Sequence, residues 1–344
     1  MSFSKTLIVT LISSVVAAAS AFAAAPEYRI VARHLIGDTG GYDYLRVDPV
    51  ARRLYVAHEK RIEVLDADSG KKVGTIGPTV RAHGIALAPE TGHGFVTSGI
   101  DDLITMFDLK TLASLKTLKS TGSNPDAIEY DPESKRIYIG NHGGGDVTVI
   151  DPASGDIVAT IKLEGKLEGI GFDGRGQGFI VAEDKSAVHV FDTRSLKPKA
   201  TWSLAPGEGG TGLGVDVAHH RLFVACGNNK VVVLDSDTGK VIATPACGGD
   251  PDGLVFDPKT GRIFSSNVDG TLTIIQQNSP DNYTVLQNVK TPIGCRTITL
   301  DEKTGRVVMC APQYGPKPAP VKGGPKPKAP VLPGTFEAIV VGLK

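Results

Sequence analysis

Seven equivalent positions in this chain of 344 residues carry mostly ionisable side chains. Each position lies five residues before a recurring residue, usually Asp, that ends a short apolar run. Carboxylates, imidazoles and a guanidinium that converge in this way suit a cationic, sugar-like or metal-bound ligand. We call these positions the mouth ring: Asp43, His83, Asp126, Glu168, Thr211, Asp252 and Arg296.

A second set of positions lies three residues past an aromatic residue, or its equivalent, in the following run. We predict that its polar members His58, Asn141 and Asn267 contribute to the same ligand-binding face. His58 and His83 with Asp43 form an alternative metal-ligand set, but no spacing matches a standard zinc motif, and we predict no metal site. Another interpretation is that Asp126 and Asp252 only cap their own turns.

Familiar active-site motifs are missing from the sequence. No G-x-S-x-G, H-E-x-x-H or C-x-x-C-H occurs, so a serine-elbow hydrolase, a zincin or a c-type haem protein is unsupported. The segment 207–212 matches G-x-G-x-x-G, but no helix follows it, so the anion-binding geometry of a dinucleotide site is absent. We predict no cofactor, and the pattern favours a protein that is not an enzyme.

The elements that must position these residues recur about every 42 residues. The residues that end the first run of each repeat are Asp48, Ala88, Asp131, Asp173, Asp216, Asp257 and Asp301, at spacings of 40, 43, 42, 43, 41 and 44. Each repeat holds four runs rich in Val, Ile, Thr and aromatic residues, separated by turn residues. This pattern predicts an all-β fold, a seven-bladed β-propeller with four-stranded antiparallel blades.

The last repeat supplies three strand-like runs, and its fourth strand is missing. An additional strand-like run at 28–36 precedes the first repeat. We predict that this N-terminal strand completes the last blade in a 3+1 closure, which leaves no exposed edge between the first and last blades. Residues 26–344 are therefore expected to form a single propeller domain.

Blade three resembles the YVTN β-propeller repeat. Tyr138-Ile139-Gly140-Asn141 followed by 147–151, Val-Thr-Val-Ile-Asp, is similar to that repeat's Tyr-Val-x-Asn and Val-x-Val-Ile-Asp. Asn124-Pro125-Asp126 and its counterpart at 250–254 are similar to the family's entry into a blade. The resemblance covers most of the chain and implies an exported, YncE-like propeller. Such relatives include extracytoplasmic binding proteins, lactonases and propeller subunits of quinoprotein dehydrogenases.

Residues 1–25 have the composition of a secretory signal peptide, with Lys5, an apolar core and small residues at the end. We expect cleavage near Ala23 or Ala25 and a periplasmic or secreted protein without a membrane span; an uncleaved anchor is the alternative. The whole chain has 37 basic and 37 acidic residues, and loss of Lys5 leaves a net charge of −1. That charge gives little help to nucleic-acid binding, which we do not expect.

The cysteines all lie in the last third of the chain, and export would permit disulfides. We predict a Cys295–Cys310 bond across the turn at 301–306, with Cys226–Cys247 as the remaining pair. Free buried thiols are the alternative.

Residues 312–334 hold eight prolines and four lysines without an acidic residue. This composition favours an extended polyproline conformation rather than a packed core. The segment replaces the short loop between strands two and three of the last blade, on the same face as the mouth ring. A surface loop and a basic docking arm for a partner or an anionic polymer both fit.

From these observations we predict an exported, monomeric, non-catalytic propeller that binds a small ligand or a macromolecular partner at the mouth ring. A lactonase-like hydrolase that uses His58 or His83 with neighbouring carboxylates is one alternative. A propeller subunit of a quinoprotein dehydrogenase is another.

Overall fold

The short β-rich runs of each repeat pair into antiparallel sheets of four strands, as the repeat predicts. The computed structural model describes residues 27–319 and 327–344. Within these ranges seven four-stranded sheets surround a central channel, which confirms the all-β, seven-bladed propeller. Helical structure in the same ranges is limited to two 3₁₀ turns, at Pro89–Thr91 and Glu183–Lys185.

Blades 1 to 3 follow chain order from the innermost to the outermost strand. Blade 1 contains β2 (Tyr42–Asp48), β3 (Arg53–His58), β4 (Arg61–Asp66) and β5 (Lys72–Ile76). Blade 2 contains β6 (Ala82–Ala88), β7 (His93–Ser98), β8 (Leu103–Asp108) and β9 (Ser114–Lys119). Blade 3 contains β10 (Pro125–Asp131), β11 (Arg136–Asn141), β12 (Asp146–Asp151) and β13 (Asp156–Lys162).

Blades 4 to 6 have the same order. Blade 4 contains β14 (Leu167–Phe172), β15 (Gln177–Ala182), β16 (Ala187–Asp192) and β17 (Lys197–Ser203). Blade 5 contains β18 (Gly210–Asp216), β19 (Arg221–Cys226), β20 (Lys230–Asp235) and β21 (Val241–Ala243). Blade 6 contains β22 (Pro251–Asp257), β23 (Arg262–Asn267), β24 (Thr271–Ser279) and β25 (Asn282–Lys290).

Blade 7 joins the two ends of the chain. Its strands β26 (Ile298–Asp301), β27 (Arg306–Ala311) and β28 (Glu337–Leu343) are followed by β1 (Tyr28–Leu35), which is the outermost strand. The predicted 3+1 closure is therefore confirmed. Tyr28 attaches β1 to blade 6, because its backbone N–H donates to Gln287 Oε1 at 2.9 Å and its ring packs edge-on against Phe264 at 5.5 Å.

The hydrophobic core consists of layers between neighbouring blades. Between blades 1 and 2, for example, Tyr55 and Ile62 pack with Val96 and Phe107. The other buried clusters likewise each join two adjacent blades. The two faces of one blade therefore belong to different core layers, with the backbone of that blade between them.

The cysteines, all within the described residues, are free thiols, and neither predicted disulfide is present. Cys295 packs in the layer between blades 6 and 7, whereas Cys310 packs in the layer between blades 7 and 1. Cys226 lies between blades 4 and 5, and Cys247 packs between blades 5 and 6. Each predicted pair is thus separated by the sheet of its own blade, a geometry that spacing along the chain does not reveal.

The hairpin turns between strands three and four have the conformation that their sequences predict. Gly70, Gly155 and Gly239 adopt φ values of 69°, 69° and 73°, in the left-handed region that favours glycine. The Asp at the start of each turn accepts backbone N–H groups, as Asp66 does from Ser69 at 2.8 Å. Each of these turns therefore has a glycine at the position where its hairpin requires a positive φ.

The predicted signal peptide at 1–25 lies outside the described residues. Among the residues that are described, no helix has the length and apolar character needed to cross a membrane.

The Pro- and Lys-rich segment leaves blade 7 beside the mouth ring. At its base Tyr314 pairs with Val331, and Gly315 N–H donates to the Pro330 carbonyl at 2.8 Å. The Tyr314 hydroxyl lies 3.4 Å from that of Tyr42, the residue before Asp43. The base of the segment is therefore on the same face as the mouth ring.

Candidate functional site

A β-bulge at the start of the innermost strand positions the mouth-ring residue in each of blades 1 to 6. In β2, Tyr42 pairs with His58 and Leu45 with Val56, so β2 has one extra residue between the two pairs. The same shift recurs in the innermost strands of blades 2 to 6, at His83, Asp126, Glu168, Thr211 and Asp252. Bulges redirect side chains near binding sites, and here all of these residues except Thr211 line the channel, together with Arg296.

Small residues that follow the ring positions let the innermost strands approach one another. A Cβ added to Gly212 would lie 2.5 Å from the Leu254 backbone nitrogen and 2.7 Å from the Asp252 carbonyl oxygen. Larger side chains at this level would push neighbouring strands apart. The residues at the equivalent positions are Gly84, Ala127, Gly169, Gly212, Gly253 and Thr297, whereas blade 1 has Tyr44.

The channel encloses about 630 Å³, and Tyr44 extends across it. The Tyr44 hydroxyl lies 3.5 Å from Glu168 Oε2, which joins blade 1 to blade 4. Burial, and then the charge on Glu168, raise the pKa of Tyr44 well above its usual value, so the hydroxyl keeps its proton. Farther along β2, Arg46 forms an ion pair with Glu129 of blade 3. Below the mouth ring, the charges of these two channel residues therefore neutralise each other.

His83 lies between two carboxylates of the ring. Its Nδ1 is 2.5 Å from Asp43 Oδ2 and 3.6 Å from Asp126 Oδ2. Burial lowers the pKa of His83, but the hydrogen bond to Asp43 and the charge on Asp126 outweigh it, and the pKa is raised. The other ring nitrogen, Nε2, is buried without a hydrogen-bond partner beside Gly99.

Asp126 and Asp252 face the channel with few partners. Asp126 is 8 % exposed, and His83 Nδ1 lies 3.6 Å from its carboxylate. Asp252 Oδ2 lies 3.9 Å from Arg296 Nε. Neither carboxylate accepts a backbone hydrogen bond within the described ranges, so turn capping, the alternative interpretation from the sequence, does not describe them.

The electrostatics of these two carboxyl groups follow from their surroundings. Burial, and then the charge on Asp43, raise the pKa of Asp126 well above its usual value. Burial also raises the pKa of Asp252 to about 7, although Arg296 opposes this effect. Each buried acid in the ring therefore favours either a proton or a cation as a partner.

Glu168 of blade 4 approaches His142, which follows the last residue of β11. His142 Nδ1 lies 2.9 Å from Glu168 Oε1, within the distance of an ion pair. The Glu168 carboxylate raises the pKa of His142 against the opposing effect of burial. His142 and Glu168 thus add a second imidazole and another carboxylate to the mouth.

The second predicted set does not face the channel. His58 is 1 % exposed, and its ring stacks on Phe336 at 4.4 Å. Asn141 and Asn267 are fully buried, and their side chains bond to neighbouring polar groups of their own blades, such as Thr148 Oγ1 at 2.9 Å from Asn141 Nδ2. These residues lie on the second strand, opposite the residue that precedes the bulge. The bulge turns the mouth-ring residue toward the channel, whereas the residues of the second set stay between blades.

Thr211 also has a structural role. Its hydroxyl donates to the Asp252 carbonyl at 2.8 Å and thereby links the innermost strands of blades 5 and 6.

Two groups of side chains could hold a metal ion. Asp43, His83 and Asp126 bring one ligand atom each to within 4.8 Å of one another, and so do Asp126, His142 and Glu168. The two groups share Asp126. This part of the ring is therefore the region with the greatest capacity for metal coordination in the described chain.

Tyr44 and His142 were not predicted from the sequence. Comparison of the repeats contains a signal for Tyr44, because only this repeat has a large side chain after the ring position. The position of His142, directly after the second set, contains a weaker signal.

Comparison with known proteins identifies a repeat family and a fold. The family model described as "Outer membrane protein assembly factor BamB" (PQQ_2) matches residues 58–243 and 143–318. A chain of a crystal structure of the mitotic checkpoint complex is similar, with a TM-score of 0.73 and 15 % identity over 88 % of this chain and 95 % of that one. A chain of Kuenenia stuttgartiensis hydrazine synthase has a TM-score of 0.66 and 17 % identity over 80 % of this chain and 92 % of that one. No curated protein sequence matches.

Proposed function

This chain belongs to the β-propeller family whose model is described as outer membrane protein assembly factor BamB, and we propose that it is a non-catalytic binding protein. Its ligand is a small, positively charged molecule or ion held at the mouth ring. A family description that refers to an assembly factor supports a binding role rather than an enzymatic one. The class of ligand is inferred from the mouth ring of this chain and not from the family.

One observation carries this proposal: four carboxylates of the mouth ring line the channel, whereas the ring contains one arginine and no lysine. Asp43, Asp126, Glu168 and Asp252 line the channel. Within the described chain, Arg296 is the only arginine or lysine within 4.0 Å of these carboxylates, at 4.0 Å from Asp43 and 3.9 Å from Asp252. Carboxylates placed in a partly dry cavity repel one another unless a cation or a proton neutralises them. A bound cation would relieve this repulsion, whereas an anion would increase it.

The non-catalytic part of the proposal rests on the histidine and on the channel lining. The free nitrogen of His83, Nε2, is buried beside Gly99 rather than exposed to the channel. A general base must reach the proton that it removes, so a lactonase-like use of His83 is disfavoured. No serine or cysteine lines the channel within the described ranges.

The cellular setting is also a proposal. The signal-like composition of 1–25 and the resemblance of blade three to the YVTN repeat support an exported, YncE-like protein. We propose that it acts in the periplasm or outside the cell, as a monomer.

A propeller subunit of a quinoprotein-type enzyme is the second candidate, because the matched family model fits such proteins. An anionic cofactor would meet Asp43, Asp126 and Glu168 at the mouth, and the ring therefore does not suit one. This candidate would need a surface other than the channel mouth.

Thermal unfolding tests the proposal. The full chain, dialysed against a chelator, is mixed with organic cations, divalent metal ions, neutral sugars or carboxylate anions, and retained ligands are weighed by native mass spectrometry. We expect at least one cation to raise Tm, since a ligand that binds only the folded state stabilises it.

Matched variants locate the effect. Asp43→Asn and Asp252→Asn each remove one ring charge and are expected to reduce the shift in Tm. Glu302→Gln removes one charge from an exposed residue that lines the channel after β26, at the end away from the ring, and is expected to leave the shift unchanged. The proposal fails if no cation shifts Tm, or if the ring variants respond like wild type.

A further inference from the structure

Five side chains at the mouth ring combine the two ligand types that divalent transition metals accept. His83 and His142 supply imidazole nitrogens, and the carboxylates come from Asp43, Asp126 and Glu168. They belong to the innermost strands of blades 1 to 4 and, for His142, to the loop after β11. Residues on such framework elements keep their positions better than residues on long loops do.

Asp126 is the observation that distinguishes this cluster from an ordinary acidic patch. Its side chain is 11 % exposed, and the residue faces the channel. Its carboxylate accepts no hydrogen bond from the described chain, and the nearest donor, His83 Nδ1, is 3.6 Å away. Buried carboxylates are normally paired or coordinate a metal. The described chain provides no hydrogen-bond donor for the Asp126 carboxylate, so a bound ion is a suitable partner.

The two imidazoles lie in different groups that share Asp126, His83 with Asp43 and His142 with Glu168. His83 Nδ1 is directed at the carboxylates rather than at solvent. His142 Nδ1 is 2.9 Å from Glu168 Oε1. Both nitrogens therefore have carboxylate oxygens beside them and a shared neighbour in Asp126.

We propose that this cluster binds a divalent first-row transition-metal ion, such as Zn²⁺, Mn²⁺ or Co²⁺, with Asp126 as the central ligand. The inference rests on the proposed function, because it assigns a chemical class to the cation at the mouth ring. The imidazole in each group favours this class over Ca²⁺ and Mg²⁺, which prefer oxygen ligands alone. Coordination positions not filled by the protein open into the channel, where water or a small ligand can complete them.

Titration of the chelator-treated full chain with Co²⁺ tests the assignment, because visible d–d absorption of Co²⁺ reports ordered nitrogen and oxygen ligands. Isothermal titration with Zn²⁺, Mn²⁺ and Ca²⁺ gives the selectivity. We expect a saturable Co²⁺ spectrum and tighter binding of Zn²⁺ than of Ca²⁺. Absence of the spectrum, or a preference for Ca²⁺, would overturn the assignment.

Two variants show whether Asp126 and His142 are the ligands. Asp126→Asn is expected to weaken Co²⁺ binding at least about tenfold, whereas Glu302→Gln, with the same loss of one charge outside the cluster, should bind as wild type does. If Asp126→Asn does not fold, His142→Gln provides the test, because it changes a residue that is partly exposed. It is expected to weaken binding and shift the Co²⁺ spectrum. Equal affinities in all variants would overturn the proposal.

The outcomes also separate this inference from the broader function. An organic cation that raises Tm through Asp43, in a protein that does not bind Co²⁺, would overturn the metal assignment alone. Failure of every cation would overturn both.

Discussion

Replacement of Asp252 by Asn is expected to stabilise the folded protein at neutral and alkaline pH. Asp252 lies near the negative charges of Asp43 and Glu168, and Arg296 is 3.9 Å away. Burial raises the pKa of Asp252 to about 7 despite the opposing effect of Arg296. The folded protein therefore disfavours the charged form, and Asn supplies an uncharged side chain of nearly the same shape.

The pKa sets the size of the effect. A rise from the usual 3.8 to about 7 corresponds to about 4 kcal/mol, since each tenfold change in proton affinity is worth about 1.4 kcal/mol. Solvent reaches 31 % of the Asp252 side chain and screens its charge. We therefore expect Asp252→Asn to raise the free energy of unfolding by about 1–3 kcal/mol at pH 8.

The pH dependence has a definite sign. Between the usual pKa of 3.8 and the folded-state value of about 7, the folded state binds more protons than the unfolded state does. The stability of the wild type therefore falls as pH rises through this window. The gain from Asp252→Asn should be absent below about pH 4, grow up to about pH 7 and remain constant above it.

Denaturant unfolding of the chelator-treated protein between pH 4 and pH 9 measures this gain. Glu302→Gln is the matched control, because Glu302 is exposed at the end of the channel away from the ring and its removal should not reproduce this gain. A gain at pH 8 that is also present at pH 4, or no gain at pH 8, would refute the reasoning.

Three further predictions concern the framework that holds the mouth ring. Tyr28→Ala should lower the free energy of unfolding by about 3–5 kcal/mol and Tyr28→Phe by about 1–2 kcal/mol, because the ring fills the blade 6–7 layer and Arg262 donates to the hydroxyl; denaturant unfolding checks both, and a neutral Tyr28→Ala would contradict the closure. Gly212→Ala should cost about 1–3 kcal/mol, since its Cβ would meet backbone at 2.5 Å, whereas Gly227→Ala, with its nearest neighbour at 3.6 Å, should change stability by less than about 0.5 kcal/mol; equal effects would show that the inner strands can separate freely. Alkylation in denaturant without reductant should modify all the cysteines, which are Cys226, Cys247, Cys295 and Cys310. Intact mass detects the modification, and an unmodified pair would reveal a disulfide.

The repeat allowed the fold to be predicted in detail. Four strand-length runs per repeat, with turn residues such as Gly155 at the hairpins, leave few alternatives to a propeller blade. The orphan run that begins at Tyr28 predicted the closure, because a ring with one missing strand must recruit it from the other end of the chain. Equivalent positions in repeats lie at equivalent heights, so counting alone placed Asp43, His83 and Asp126 around one channel.

The contacts that counting missed depend on side-chain direction and on blade faces. A bulge turns Asp43 into the channel, whereas His58, which lies on β3 opposite Tyr42, stays between blades. Tyr44 reaches across to Glu168 because the equivalent residues of the other six repeats have small side chains. This contact therefore depends on all the repeats together and is not evident from any one of them. Cys295 and Cys310 approach each other along the chain but lie on opposite faces of blade 7. Periodicity gives the height of a residue, but not the face that it occupies.

The most direct test of the mouth ring as the binding site is a crystal structure of the protein isolated without chelators, with anomalous data collected at transition-metal absorption edges. We predict ligand density within bonding distance of Asp126, between the Asp43–His83 pair and the His142–Glu168 pair. A bound ligand elsewhere, with only water at the mouth ring, would contradict the account.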